Sequence, residues 1–292
     1  MEQDKPKSTI RKAFQAILHD NTSGSTEILN NTIHTLRDLV DDDNPPDNFL
    51  LKDLLQEVKQ KHGNFAVLYH FLKAVFALLD SDPDAEKIPA FLKKYEMQWS
   101  GSNRQAAEQL LLHLKNKNIR SVLFHSNSSA IHAFCKVLSE NQQYPVLFQT
   151  YSGSAGEGKS QVSQNVMNDF EIRFFHETAA SRFIPEIDFA VFGADLIADR
   201  FFINKTGTYS LALLCREFNK PVYVLADSRK RISKSSIPKD DFERLIHEEP
   251  KDPNELWSDP PQNVSVVNYY FERIPLALVR GMYSEEGLLT PK

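Results

Sequence analysis

The chain has 292 residues, 41% of them hydrophobic and 25% charged, with a formal net charge of -5. That balance belongs to a folded globular protein with room for one large or two ordinary domains. The small negative charge and the lack of a long basic run exclude a sequence-independent grip on nucleic acid or on an anionic membrane.

The opening stretch, MEQDKPKSTIRK, mixes both signs of charge and contains no apolar core of about 7 to 15 residues, so a secretory signal is not expected and a cytoplasmic location is. Helical spacing follows. After Ser25, the residues Leu29, Ile33, Leu36 and Val40 recur on one helix face, and Phe65, Leu68, Leu72, Val75, Phe76 and Leu79 recur on another. Residues 41–47, DDDNPPD, carry two prolines and read as a loop. The apolar stretch 65–79 is broken by His70 and Lys73 and falls short of the roughly 20 residues a membrane-spanning helix needs.

From Ser121 the pattern becomes short β-rich runs, VLFH, PVLFQT, EIRFF, DFAVF, PVYVLA and VSVV, separated by helix-length stretches. Alternation of this kind predicts a parallel sheet with helices on its faces. The expected fold class is therefore α/β: a helical domain over residues 1–117, then a Rossmann-like, doubly wound, mainly parallel sheet domain over residues 118–292. Residues 233–261, rich in charge and proline, read as a long loop with a short helix, and the basic cluster 229–234 reads as a solvated loop. Cys135 and Cys215 fall in apolar helical patterns and read as reduced core residues. The nine His are scattered without metal-ligand spacing, so neither a metal nor another cofactor is expected.

A parallel sheet gathers its carboxyl-terminal loops at one edge, which makes four loops candidates for chemistry. In the first, His125-Ser126-Asn127-Ser128-Ser129, the polar side chains Ser126, Asn127 and Ser128 can cap the next helix or hold an anion at its positive end. The second, residues 151–160, YSGSAGEGKS, matches the P-loop pattern from Gly153. As a P-loop it would place Lys159 on nucleotide phosphates and Ser160 on Mg²⁺; as a simpler cradle, Gly156, Gly158 and Lys159 would hold a smaller phosphate; as a bare loop it binds nothing. In the third, Thr178 offers a hydrogen-bond donor and His176 reads as a partly buried structural histidine. The fourth is Asp195 at the end of DFAVFGAD, its carboxylate either facing a ligand or capping the turn 196–198. Downstream, Asn204 and Lys205 bring an amide and a cation to a loop, and Thr206, Gly207 and Thr208 open a helix whose N–H groups can hold phosphate. A surface salt bridge is the alternative for Lys205.

The GAD and NKTGT blocks, with the tail NYYFERIPLALVRGMYSEEGLLTP, resemble the family that unites the α, β and δ subunits of translation initiation factor 2B with methylthioribose 1-phosphate and ribose 1,5-bisphosphate isomerases. The resemblance runs from about Ser121 to the C-terminus. It implies a sugar-phosphate pocket, with Asn204 and Lys205 on the phosphate and Asp195 as a proton-transfer residue. It also implies a homodimer or higher oligomer and translation-factor partners. Three positions depart from the catalytic branches. Ser126 stands where the isomerases carry a proton-transferring Cys, the Arg-Pro expected near Tyr151 is absent although Glu157-Gly158 matches the end of that motif, and Thr22-Ser-Gly-Ser-Thr-Glu27 replaces an Arg-Gly-Ala turn. A thiol near pKa 8.5 can be tuned toward neutrality, whereas a serine needs a strong adjacent base, and His125, on the opposite strand face, is poorly placed to be it. The expectation is a non-catalytic protein that binds a phosphorylated ribose or nucleotide and regulates translation initiation. An aldose-ketose isomerase working through Asp195 is the first alternative and a P-loop nucleotide hydrolase the second.

Overall fold

The computed structural model describes residues 5–20, 23–41, 45–81, 87–153 and 156–289. The chain forms two compact units, residues 1–100 and 101–292.

The first unit is helical: α1 (Lys5–His19), α2 (Ser25–Val40), α3 (Asn48–His62), α4 (Ala66–Ser81) and α5 (Ile88–Trp99). The expected stripes face its core, with Leu29, Ile33 and Leu36 of α2 and Leu68, Leu72 and Val75 of α4 all buried. Asp47 ends the proline-containing loop by accepting the Leu50 N–H at 2.7 Å, which supplies one of the donors that α3 leaves open at its start.

The second unit begins with α6 (Ser102–Leu114), then runs β1 (Ser121–Phe124), α7 (Ser129–Glu140), β2 (Val146–Thr150), α8 (Glu157–Val162), β3 (Ile172–Phe175), α9 (Ala180–Phe183) and β4 (Phe189–Phe192). It continues through β5 (Leu196–Ile197), β6 (Phe201–Lys205), α10 (Thr208–Glu217), β7 (Val222–Leu225), α11 (Lys239–Leu245), β8 (Phe271–Pro275), β9 (Gly281–Ser284) and β10 (Gly287–Leu289). Helical spacing groups α6 with the helices before it, but its Ala106, Ala107, Leu110 and Leu114 pack on the sheet beside Phe134 and Leu138 of α7. Periodicity identifies a helix and its buried face; it does not say what covers that face.

Seven strands form one sheet in the order β10-β9-β7-β4-β1-β2-β3, parallel except for the β9–β10 hairpin. Alternate residues feed two cores. Val122, Phe124, Val191 and Tyr223 face α6 and α7, while Leu123, Ala190, Phe192 and Val224 face α10. A second, antiparallel sheet β5-β6-β8 adds Ile197, Phe202 and Ile274 to the α10-side core. The doubly wound α/β expectation is met, and five of the six expected strands form. The sixth, VSVV, does not: Val264 and Val267 are exposed and the segment is irregular. β-Branched residues favour strands through packing on neighbours, and these have none to pack on. The loop expected over 233–261 does contain a short helix, α11. The basic cluster is not solvated as expected: Arg229 and Lys230 are buried, Arg229 against the fully buried Asp227 at 2.9 Å.

Candidate functional site

Strand order reverses between β1 and β4, so the loops leaving their carboxyl ends diverge and open a crevice, the place where open α/β sheets bind ligands. Ser126, Asn127 and Ser128 lie on the β1 side and Asp195 on the β4 side. Gly193 is glycine because a Cβ there would meet Ser128 Oγ at 2.6 Å, so the two loops touch.

Two loop residues take left-handed backbone without being glycine, Ser126 at φ 70 and Ser152 at φ 73. Hydrogen bonds hold both in place. The Ser126 N–H donates to Ser152 Oγ at 2.7 Å, and that hydroxyl lies 2.9 Å from Thr150 Oγ1. Thr150 Oγ1 in turn lies 2.6 Å from His125 Nδ1, while His125 Nε2 donates to the Thr206 carbonyl at 3.1 Å. The carbonyl requires a proton on Nε2, and in the neutral ring Nδ1 then accepts from the Thr150 hydroxyl. Burial, set against the carboxylate of Glu177, pulls its pKa down to about 4. Such strained residues cluster at sites whose surroundings over-determine them.

The Ser126 side chain points away from His125. Its hydroxyl donates to Glu157 Oε2 at 2.5 Å, and Glu157 Oε1 lies 2.5 Å from Lys205 Nζ. Sequence reasoning gave His125 no role with Ser126, and the structure agrees; the carboxylate it did not place there is Glu157. Lys205 is 1% exposed, not the surface ion pair considered as its alternative, and its ammonium also lies over the Tyr270 ring at 4.0 Å. An ammonium carries three donors, and Glu157 is the carboxylate paired with it. Asn204, also buried, donates from Nδ2 to Thr208 Oγ1 at 3.0 Å. Both residues sit on strand β6 rather than in a loop, because Asn204 and Lys205 pair with Glu272 and Phe271 of β8.

Several anion-binding expectations are corrected. The start of α10 is already served by Glu272, whose Oε1 accepts the N–H groups of Gly207 and Tyr209, each at 2.8 Å. Burial raises the Glu272 pKa, and those two N–H groups offset part of the rise. The head of the P-loop-like segment is served likewise: Glu177 accepts from Ser152 N–H at 3.0 Å and Gly153 N–H at 2.8 Å. Burial would raise the Glu177 carboxyl, but the N–H groups of Gly153 and Ser152, with His125, bring it below its ordinary value. Ser154 and Ala155 lie outside the described residues. Lys159 and Ser160 are exposed, Lys159 with its ammonium 5.0 Å from the Tyr151 ring centre, and α8 has only six residues. The N–H groups of Ser152 and Gly153, committed to a carboxylate, are not open to a phosphate. Gly158 serves packing: a Cβ would lie 1.9 Å from the Thr150 carbonyl oxygen.

Ser128 caps α7 by backbone conformation without a side-chain bond, its N–H donating to Gln161 Oε1 at 2.7 Å. His176 is exposed, not partly buried as expected, and stacks on Tyr151 with ring centres 5.7 Å apart. Thr178 is exposed and bonds back to His176 Nδ1 at 3.1 Å. Asp195 is half-buried and its carboxylate makes no side-chain hydrogen bond among the described residues. It caps nothing, because Leu196 and Ile197 form β5 instead of a turn. In the first unit, Gly24 rather than a hydroxyl residue occupies the N-cap of α2; Thr22 lies outside the described residues. Among the described residues no cluster of three or more His, Cys, Asp or Glu could hold a metal ion, and no helix is long and apolar enough to cross a membrane.

A doubly wound sheet with a polar crevice at its switch point, extended by a small antiparallel sheet carrying Asn204 and Lys205, defines an α/β protein of the Rossmann-like class. The chain belongs to the initiation factor 2 subunit family, whose model matches residues 21–291. It is 24% identical over 246 residues to a putative translation initiation factor eIF-2B subunit 2-like protein of Pyrococcus furiosus, covering 82% of this chain and 80% of that one. It is 29% identical over 194 residues to a ribose 1,5-bisphosphate isomerase of Archaeoglobus fulgidus, covering 64% and 60% of the two chains. The solved 5-methylthioribose 1-phosphate isomerase of Pyrococcus horikoshii shares the fold at TM-score 0.78 and 17% identity, over 97% of this chain and 84% of that one.

Proposed function

We propose that this protein is a non-catalytic member of its family, binding a phosphorylated ribose or nucleotide in the β1–β4 crevice and regulating translation initiation through contacts with other proteins. One observation carries the reading: the Ser126 hydroxyl donates to Glu157, and Glu157 is held by buried Lys205. Moving a proton at a sugar carbon needs a group that gives it up near neutral pH. A serine hydroxyl does so only beside a strong base. The carboxylate beside Ser126 is already paired with the Lys205 ammonium, and His125 turns both ring nitrogens to other partners. The buried three-donor ammonium of Lys205 and the amide of Asn204 support a ligand with anionic or polar oxygen. By the same family resemblance the chain assembles as a homodimer and works in the cytoplasm with translation-factor partners.

The free carboxylate of Asp195 favours a second reading, an aldose-ketose isomerase in which Asp195 moves one proton. The two are separated by incubating the protein with ribose 1,5-bisphosphate and following the phosphorus NMR spectrum for hours. The non-catalytic reading expects broadened substrate resonances and no ketose product. New ketose bisphosphate resonances that vanish in Asp195→Asn would establish the isomerase instead.

A further inference from the structure

The arch over residues 251–270 is fixed at its base and bare at its crown. At the base the Lys251 N–H donates to the Asn268 carbonyl at 2.8 Å, and the buried Asn268 amide donates to the Asp252 carbonyl at 3.0 Å and to Glu255 Oε2 at 2.9 Å. The Tyr270 hydroxyl donates to the other oxygen of Glu255. Compact surface loops with tied ends frequently carry function. Five of the thirteen large apolar side chains exposed among the described residues fall in this arch: Leu256, Trp257, Val264, Val267 and Tyr269, with Trp257 49% and Val267 59% exposed. Scattered singly, such residues need no explanation; crowded into one anchored loop, they mark a contact surface.

Within the arch, residues 264–267 have the β-branched letters of a strand and no strand to join. Among the described residues, backbone hydrogen bonds flank the segment, from the Val264 N–H to the Pro261 carbonyl and from the Lys251 N–H to the Asn268 carbonyl, while none engages Ser265, Val266 or Val267. An extended segment of another chain supplies the missing ladder. Charge restricts which chain that is. Glu249, Asp252 and Asp259 are exposed, and no Lys, Arg or His occurs from residue 252 to 272. Such a loop repels nucleic acid and anionic membranes, and a second copy pairing VSVV with VSVV would set two acidic arches side by side. We propose that VSVV accepts an added β-strand from a different protein, an extended segment alternating apolar residues with Lys or Arg. Its apolar side chains cover the exposed valines and Trp257, and its cations meet the carboxylates of the arch. The inference builds on the protein contacts of the proposed function and leaves the crevice out, so the two readings fail separately.

The probe is a fluorescent peptide of about ten residues alternating Val and Lys, titrated by anisotropy into the full chain beside a control peptide alternating Val and Glu. The lysine peptide binds at least about tenfold more tightly than the glutamate peptide, and added salt narrows the gap. Amide hydrogen exchange over residues 265–267 slows by at least about tenfold in the complex, which contact without a ladder does not produce. Val267→Pro, which removes an N–H from the segment, and Trp257→Ser each weaken lysine-peptide binding by about tenfold while the circular dichroism spectrum is unchanged. Equal binding of the two peptides, or binding of neither, overturns the proposal and leaves the crevice reading untouched. Binding without slowed exchange overturns strand addition. A sedimenting dimer that Val267→Pro converts to monomer overturns it in favour of a second copy. If Val267→Pro fails to fold, Trp257→Ser and the exchange measurement on the unaltered protein still decide.

Discussion

At Lys205 the fold holds a full positive charge beneath the surface beside Glu157, with side chains 2% and 12% exposed. Breaking such a pair from one side leaves the other charge buried and uncompensated. Lys205→Met is expected to cost about 3 to 5 kcal/mol, and adding Glu157→Gln to recover much of it, as measured by urea unfolding of the single and double variants. Gly158 tests a different constraint. Its α-carbon hydrogen faces the Thr150 carbonyl, so Gly158→Ala must displace backbone on α8 or β2 and should cost about 3 kcal/mol or more in the same assay. The sequence marks both positions, one as a motif lysine and the other as part of a Gly-rich run, but it assigns Gly158 to a phosphate cradle. What decides otherwise is the distance of closest approach between two elements, which no local pattern encodes.

The loops at the ends of β1 and β2 act together because His125 joins them, bonding to Thr150 at one nitrogen and to the Thr206 carbonyl at the other. Its folded pKa of about 4 lies below the ordinary value near 6.5, so folding favours the neutral ring. The unfolded chain then binds the extra proton first as pH falls. Stability from this group is complete above about pH 6.5 and drains away toward pH 4, amounting to roughly 3 kcal/mol if fully realised, and Glu177, also held below its ordinary value, loses stability in the same direction at the acid end. A urea midpoint that falls steadily between those pH values in the native protein, and much less steeply in His125→Gln, is the expected result. A midpoint flat over that window would remove His125 from the account. Strand runs such as VLFH and PVLFQT were legible because short, nearly uninterrupted apolar runs between helix-length stretches mark a sheet packed on both faces. VSVV carries the same letters and forms no strand, since nothing lies beside it to complete a ladder or bury its methyl groups.

For the whole molecule, the helical first unit and the doubly wound second unit follow the change of grammar near Ser121, displaced only by α6. The homodimer proposed from family resemblance predicts a sedimenting species of twice the chain's mass at micromolar concentration. A monomer across that range would withdraw the dimer without touching the crevice chemistry.

The sequence alone determined the two kinds of architecture, the strands that carry the crevice and the family, because hydrophobic period and short blocks such as GAD and NKTGT are local and survive in linear order. Only the tertiary structure decided which donors are free. Glu177, Glu272 and Glu157 come from other loops and strands to occupy N–H groups and an ammonium that the sequence offered to a ligand. Hydrogen bonding is settled by distances of about 3 Å between residues far apart in the chain, and those distances exist only once the sheet has brought its carboxyl-terminal loops to one edge.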